Sequence, residues 1–422
     1  KTTGFTAVTG TGYFCNTTSG GFTVTLPASP SAGDVVGVSD YAKTWDTGNL
    51  TLGRNSEKIG GDADDAIIST EGLAVTLVYV DSTKGWIVTD SGLQSDAPGP
   101  IYVAATGGCI TTCGNFKMHT FFGPGTLCVS CGGNAAGSNS VSYMVVAGGG
   151  SGGQTASGGG GAGGFREGKA ASDCYTASPL NAPAGKPVSA TGYPIVVGAG
   201  GAGHAAQPSS AAGNKGADST FSTITSTGGG KGGGGTGPGT GNAAGCGGSG
   251  GGAHAGTTPA NPCGGAGDTP STPVAQGTDG GDCPAPSGGP AYAGAGGGGA
   301  TTAGQNGGTG PPYGDGGTGA GTAINLSTMP APSPTPSAQI GTPGPSPTAR
   351  YFSGGAGGSS DICVPAESQG GTGGGGTGAI NAGREATAGT INTGGGSGGL
   401  ANSSTTPVAG GSGIVVIRYR YQ

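Results

Sequence analysis

Charge is scarce in this chain. Only 9% of its 422 residues are Asp, Glu, Lys or Arg, and the balance of −6 leaves no basic surplus. Nucleic-acid binding rests on cationic patches that neutralise phosphates, so that class loses its usual basis. Long apolar runs are missing too. None approaches the roughly 18 residues a membrane-spanning helix needs, so no membrane insertion is expected. No stretch of about 12 residues keeps the apolar spacing of an amphipathic helix without an interrupting Gly or Pro, which removes long helices. Aromatics are 5% of residues and His occurs three times, leaving little for a catalytic centre. The opening KTTGFTAV carries neither Met nor a signal-peptide pattern and reads as the start of a processed or partial product.

What the chain has is glycine, 105 residues of it, with 29 prolines. A collagen helix needs Gly strictly at every third position, and tracts such as GGGSGGQTASGGGGAGG break that register. Ordinary disorder fits poorly, because disordered chains are charged and poor in apolar residues. Here 32% of residues are hydrophobic, and they gather into short strand-like runs between the glycine tracts.

Residues 1–96 read as an N-terminal β module for attachment or oligomerisation. YFCNTT, FTVTLP, DVVGVSD, NLTLGR, AIIST, AVTLVYVD and GWIVTD are strand-length runs separated by turn residues. In AVTLVYV both faces are apolar, so the strand is expected to be covered on both sides, one side by a partner subunit. Residues 97–148 form a β bridge, in which FKMHTF, a Gly-Pro-Gly turn and LCVS suggest a hairpin. Residues 149–422 form the glycine-rich domain, closed by a strand at 413–422. In that strand Val415, Ile417, Tyr419 and Tyr421 share one face, and Ile414, Val416, Arg418 and Arg420 the other. Its pairing with 141–147 is expected to close the region where it opens.

Glycine tracts order only if their backbones find partners. An extended threefold helix has no internal hydrogen bonds and rises about 3.1 Å per residue, so roughly 9 residues span about 28 Å. With hydrogen as the side chain, such helices can lie side by side and bond to one another. Ordering costs roughly 1–2 kcal/mol per residue. Only many cooperative bonds, each worth about 1 kcal/mol net, offset that cost. The tracts at 148–164, 198–203, 228–241, 245–256, 294–300, 304–321, 370–378 and 394–399 supply the segments. The expected fold is therefore all-β. It comprises an N-terminal β-sandwich or prism-like module, then a small β-sandwich carrying an array of packed polyglycine-II helices.

The runs NAAGSNSVSYMVVAGGG, YPIVVGAGGAG, STFSTITSTGGG, RYFSGGAGG and GGSGIVVIRYRY resemble glycine-rich virion structural proteins of tailed phages, most closely of contractile-tailed cyanophages. GYFCNTTSGGFTVTLPASPSAGDVVGVSDYAKTWDTGNLTLGRN and LVYVDSTKGW are similar to the N-terminal module of that group. In organisation the chain is similar to the polyglycine-II adhesins at phage tail-fibre tips. It is also similar to receptor ectodomains of the anaplastic-lymphoma-kinase type. The resemblance implies a tail-fibre or tail-tip component of the virion, a homotrimer bound to other tail proteins. Its loops would contact a host-surface glycan or outer-membrane protein. A capsid or neck decoration protein and an extracellular-matrix glycine-rich protein are the alternatives. Sequons at Asn16, Asn49, Asn325 and Asn402 permit the last of these.

No catalytic, cofactor or metal residue is expected, and no enzyme. G-x-G-x-x-G arises in any glycine tract, and none here follows a strand and opens a helix. Lys231 in GGGKGGGG lacks the Ser or Thr of a phosphate loop. Cys109, Cys113, Cys128 and Cys131 superficially have zinc spacing, yet Cys128 and Cys131 leave a strand toward opposite faces. Disulfides within 109/113 and 128/131, or unpaired thiols, remain the readings. His119, His204 and His254 read as surface residues, and Asp62, Asp64 and Asp65 as a solvated turn or a cation site. The segments 165–191, 204–218, 257–292, 322–352 and 359–369 read as loops displayed at the ends of the array. Tyr175, Tyr292, Tyr313, Tyr351 and Phe352 are their candidate receptor contacts.

Overall fold

The computed structural model describes residues 1–93, 100–204, 211–235, 243–255, 263–284, 293–308, 314–324, 340–360, 367–381, 383–401, 404 and 406–422. Among them the secondary structure is strands and no helix, so the chain is all-β. It divides into two compact units, residues 1–99 and 100–422.

The first unit is a sandwich of two four-stranded sheets. One has the order β1 (Phe5–Thr6), β3 (Phe22–Thr25), β5 (Leu50–Gly53), β6 (Ala66–Ile68). The other has the order β2 (Thr11–Cys15), β4 (Val35–Asp40), β7 (Leu73–Asp81), β8 (Gly85–Leu93). Each of the seven predicted runs forms a strand; the two-residue β1 is too short to show in the pattern. Val24, Leu50 and Leu52 face Val36, Val38 and Leu77 across the core, with Trp45 and Trp86 fully buried. The Asp40 carboxylate holds the sandwich's loops by accepting the backbone N–H groups of Thr44, Trp45 and Gly72. Within the single chain β7 is covered on one face only. Val75, Leu77 and Tyr79 are buried, but Ala74, Thr76 and Val78 on the opposite face are only half-buried, and Val80 is exposed. One face of this strand is therefore uncovered.

The second unit also begins as a sandwich. Its larger sheet runs β10 (Cys109–Cys113), β11 (Phe116–Phe121), β22 (Ile414–Arg420), β13 (Ser140–Val146), β14 (Phe165–Gly168), β15 (Asn181–Ala182), with β16 (Lys186–Pro187) also on β13. The smaller runs β19 (Ile224–Ser226), β18 (Ser219–Phe221), β17 (Gly192–Val196), β12 (Gly125–Gly132), β9 (Val103–Thr106). β22 pairs antiparallel with β13, Val145 opposite Val415, as the closing-strand reading expected. Its two faces go to two cores. Val415, Ile417 and Tyr419 join the core between the sheets, while Ile414 and Val416 join Met144, Phe165 and Phe352 on the other side.

The expected hairpin at 116–130 is not formed. β11 bonds β10 and β22, whereas β12 lies in the opposite sheet against β9 and β17. The Gly-Pro-Gly turn therefore passes the chain between layers, carrying Phe121 and Leu127 into the shared core from opposite sides. Residues 165–191 are likewise not a free loop, since β14 completes the central sheet beside β13.

His119 is fully buried between the two sheets, not on the surface. Its Nδ1 lies 2.7 Å from the Gly107 carbonyl and so carries the proton, while Nε2 accepts from the Tyr419 hydroxyl at 3.0 Å. Tyr419 in turn accepts the Ala105 N–H of β9. The chain of bonds suits a neutral imidazole, and burial pulls the His119 pKa below its ordinary value, against the opposing Gly107 carbonyl. The unfolded chain thus binds this proton more readily than the fold does. Stability is then expected to rise with pH through the interval between the lowered pKa and about 6.5, and to be lost as pH falls through it. Thermal melts across that interval check this, and His119→Gln should flatten the slope.

Candidate attachment surface

Between the strands the glycine segments form a block bonded through main-chain atoms. The bonding repeats every third residue. Gly148, Ser151 and Gln154 donate their N–H groups to Ala217, Asn214 and Ala211; Gly150 and Gly153 donate to Gly161 and Gly158. The returning segment rotates among neighbours in the same way. Gly158, Gly161 and Gly164 bond Gly233, Gly230 and Thr227; Gly159 and Ala162 bond Ala295 and Gly298; Gly160 and Gly163 bond Ser397 and Gly394. Neighbours run antiparallel in some pairs and parallel in others, as where Gly229, Gly232 and Gly235 donate to Gly148, Ser151 and Gln154. A period of three is the turn of an extended threefold helix, which presents successive N–H groups to different sides. Glycine is required by contact. A Cβ built on Gly150, Gly158, Gly160, Gly297 or Gly355 falls on the carbonyl of a neighbouring segment.

The register also gives the block two ends. At the strand end Ala147 bonds Gly164, Gly164 bonds Thr227, Gly413 bonds Gly198, and Ala300 bonds Ser353. At the far end Gly235 bonds Gln154, Ala255 bonds Ala156, Ser359 bonds Ser157, Gly294 bonds Ser359, and Leu400 bonds Gly153. That end is fastened by small side chains. Ala156, Ala253, Ala255, Cys283 and Ala295 cluster there, and the Ser359 hydroxyl accepts the Ser157 N–H at 2.7 Å. His254 is buried beside them with its Nδ1 unpartnered, so burial lowers its pKa. The described residues flanking 205–210, 236–242, 256–262, 285–292, 309–313 and 361–366 all belong to the far end. Ile324, the described residue before 325–339, is different: its carbonyl is bonded by Arg418 of the central sheet, so it belongs to the strand end.

The predicted contact residues divide accordingly. Tyr175 and Phe352 are core residues against the central sheet, not displayed ones. Arg418 lies over the Tyr175 ring at 5.6 Å, and burial drives the phenol far above its ordinary pKa. Tyr351 is half-buried in β21 (Arg350–Phe352), which pairs with β20 (Ala320–Thr322), and its hydroxyl accepts the Ser346 N–H. Residues 322–352 thus begin and end in strand pairing. Tyr292 and Tyr313 lie outside the described residues, in two of the segments whose flanks sit at the far end.

The four cysteines are free thiols. Cys109 and Cys113 stand at opposite ends of β10, four residues or about 13 Å apart along a strand, beyond disulfide reach. Cys128 and Cys131 lie on β12 across a bulge between Val129 and Cys131. No group of three metal-ligating side chains occurs among the described residues, and the Asp65 carboxylate instead accepts the Arg54 N–H.

Sequence reasoning missed the buried polar knot beneath the block. Arg418 Nε lies 3.0 Å from Asp173 Oδ1, both side chains almost wholly buried. Ser142 donates to the other Asp173 oxygen at 2.8 Å. Nearby, buried Glu167 accepts from Thr322 and from the Ser178 N–H, and burial raises its pKa. The only signal was a pair of arginines, Arg418 and Arg420, ending an apolar strand. These groups tie β13, β14, β20 and β22 to the connecting segments.

As a class, the second unit is a β-sandwich that carries a main-chain-bonded glycine block. Residues 130–420 match the family model described as a glycine-rich domain, and the chain belongs to that family. A comparison with curated proteins gave no match.

Proposed function

We propose that the chain is a structural protein of a tailed-phage virion, a tail-fibre or tail-tip component that presents its crossings for host-cell attachment. The observation that carries this reading is the gathering of so many crossing flanks at the block end remote from the strands. Binding loops work best on a frame that does not yield, and the threefold-bonded block is such a frame. The motif resemblance to cyanophage virion proteins supplies the particle, and the N-terminal sandwich is the part that would mount the chain on it. The partner on the cell is a surface glycan or outer-membrane protein, met by residues of the 285–292 and 309–313 segments, Tyr292 and Tyr313 among them.

The test is made on particles. Replacing 285–292 and 309–313 by Gly/Ser of equal length is expected to cut adsorption to host cells at least about tenfold, a change of about 1.4 kcal/mol. Particle yield should be unaffected. Normal adsorption by normally assembled particles would overturn the attachment role and favour a decoration protein.

A further inference from the structure

The uncovered face of the first unit has a shape of its own. Across the β2–β4–β7 ladder, Gly12 stands beside Gly37 and Thr76, and Phe14 beside Ser39 and Ala74. The two glycines leave a hollow of about 250 Å³, lined by Gly12, Phe14, Gly37, Ser39, Ala74 and Thr76. Phe14 projects at its edge, 66% exposed. Further along the same face Val35 and Val80 are also exposed, and Val78 is half-buried. A projecting ring and an open hollow thus share one apolar patch.

Shape indicates what covers it, since ring and hollow on one patch let a second copy supply each to the other, and charge restricts where two copies can meet. Residues 1–99 hold eleven acidic and five basic side chains, a balance of −6 that equals the whole chain's. None of the residues lining the hollow is charged. Asp90, opposite Thr76 in the β7–β8 ladder, marks the margin of the face. Two copies of so acidic a module repel through most orientations, since like charges brought together are unfavourable. This face lets them meet without opposing carboxylates at the centre of contact. A symmetric contact also requires one patch to supply both halves.

We infer that the outer face of the β2–β4–β7–β8 sheet docks a second copy of this chain, with Phe14 of each copy seated in the Gly12–Gly37 hollow of the other. The inference is independent of the phage reading, because it uses only the first unit's surface. Added salt should tighten the association by screening the acidic rims.

Sedimentation velocity of the full chain over a range of concentrations tests it. The wild type is expected to self-associate, more so at high salt. Phe14→Asp adds a charge to the ring's place. Gly37→Val fills the hollow at little internal cost, since a Cβ there meets only the Gly12 Cα at 3.6 Å. Each is expected to weaken association at least about tenfold, with near-UV circular dichroism unchanged. Ile67→Asp, at the exposed position of β6 in the other sheet, should leave association intact. A wild type that stays monomeric at every concentration and salt overturns the inference, and this is also the result expected if the face serves a different partner. So does association of Phe14→Asp and Gly37→Val as tight as the wild type's, or equal weakening by Ile67→Asp.

Discussion

Gly160→Val is expected to destabilise the second unit by about 3 kcal/mol or more. Gly160 sits in the middle of the block, donating to Ser397 and accepting from Ala356. A Cβ there falls on the Gly150 carbonyl, a main-chain atom that cannot rotate aside. Relief requires two segments to part, and each carries bonds to further segments, so the damage spreads laterally. At about 1.5 °C per kcal/mol for a unit as long as residues 100–422, the unfolding midpoint should fall by about 4 °C or more. Amide protection should be lost across residues 147–164 and 228–235. Gly308→Ala is the control. A Cβ at Gly308 meets nothing within 4 Å, so its effect should stay within about 0.5 kcal/mol. Equal effects from the two substitutions would show that the tracts do not pack as described.

Asp173→Ala should cost the same unit about 3–5 kcal/mol, the usual penalty for leaving one member of a buried ion pair alone. The guanidinium of Arg418 would keep only the Ile324 carbonyl and the faces of Phe116 and Tyr175 as partners. Ser142 would lose its acceptor while still facing the Ala170 N–H. Denaturant melts of Asp173→Ala and of Asp173→Ala/Arg418→Met separate the causes. If the uncompensated charge dominates, the double variant recovers most of the loss; if packing dominates, it does not.

Strands that alternate cleanly were legible in the sequence, and so was the closing strand, because apolar residues fill both of its faces from Ile414 to Ile417. Sheet membership was not. The run at 116–130 has the turn chemistry of a hairpin, but Phe121 and Leu127 gain more by entering one core from two layers than by pairing locally. The block was legible as a steric requirement, since only bare backbone approaches that closely. Its polarity was not, because which end a crossing occupies depends on register between segments hundreds of residues apart. The aromatics Tyr175 and Phe352 misled for a related reason. In so glycine-rich a chain large side chains are rare, and the fold spends those two on sealing the block to the sheet. His119 gave no pattern at all, since its partners Gly107 and Tyr419 meet it only in three dimensions.

The crossings at the far end join segments whose positions are already held by lateral bonds. Lengthening such a crossing costs little, about 0.6 kcal/mol for each doubling of its length. Insertions, deletions and wholesale exchange of these stretches can therefore accumulate independently of one another. A lineage could rewrite those stretches while the bonded frame between them stayed fixed.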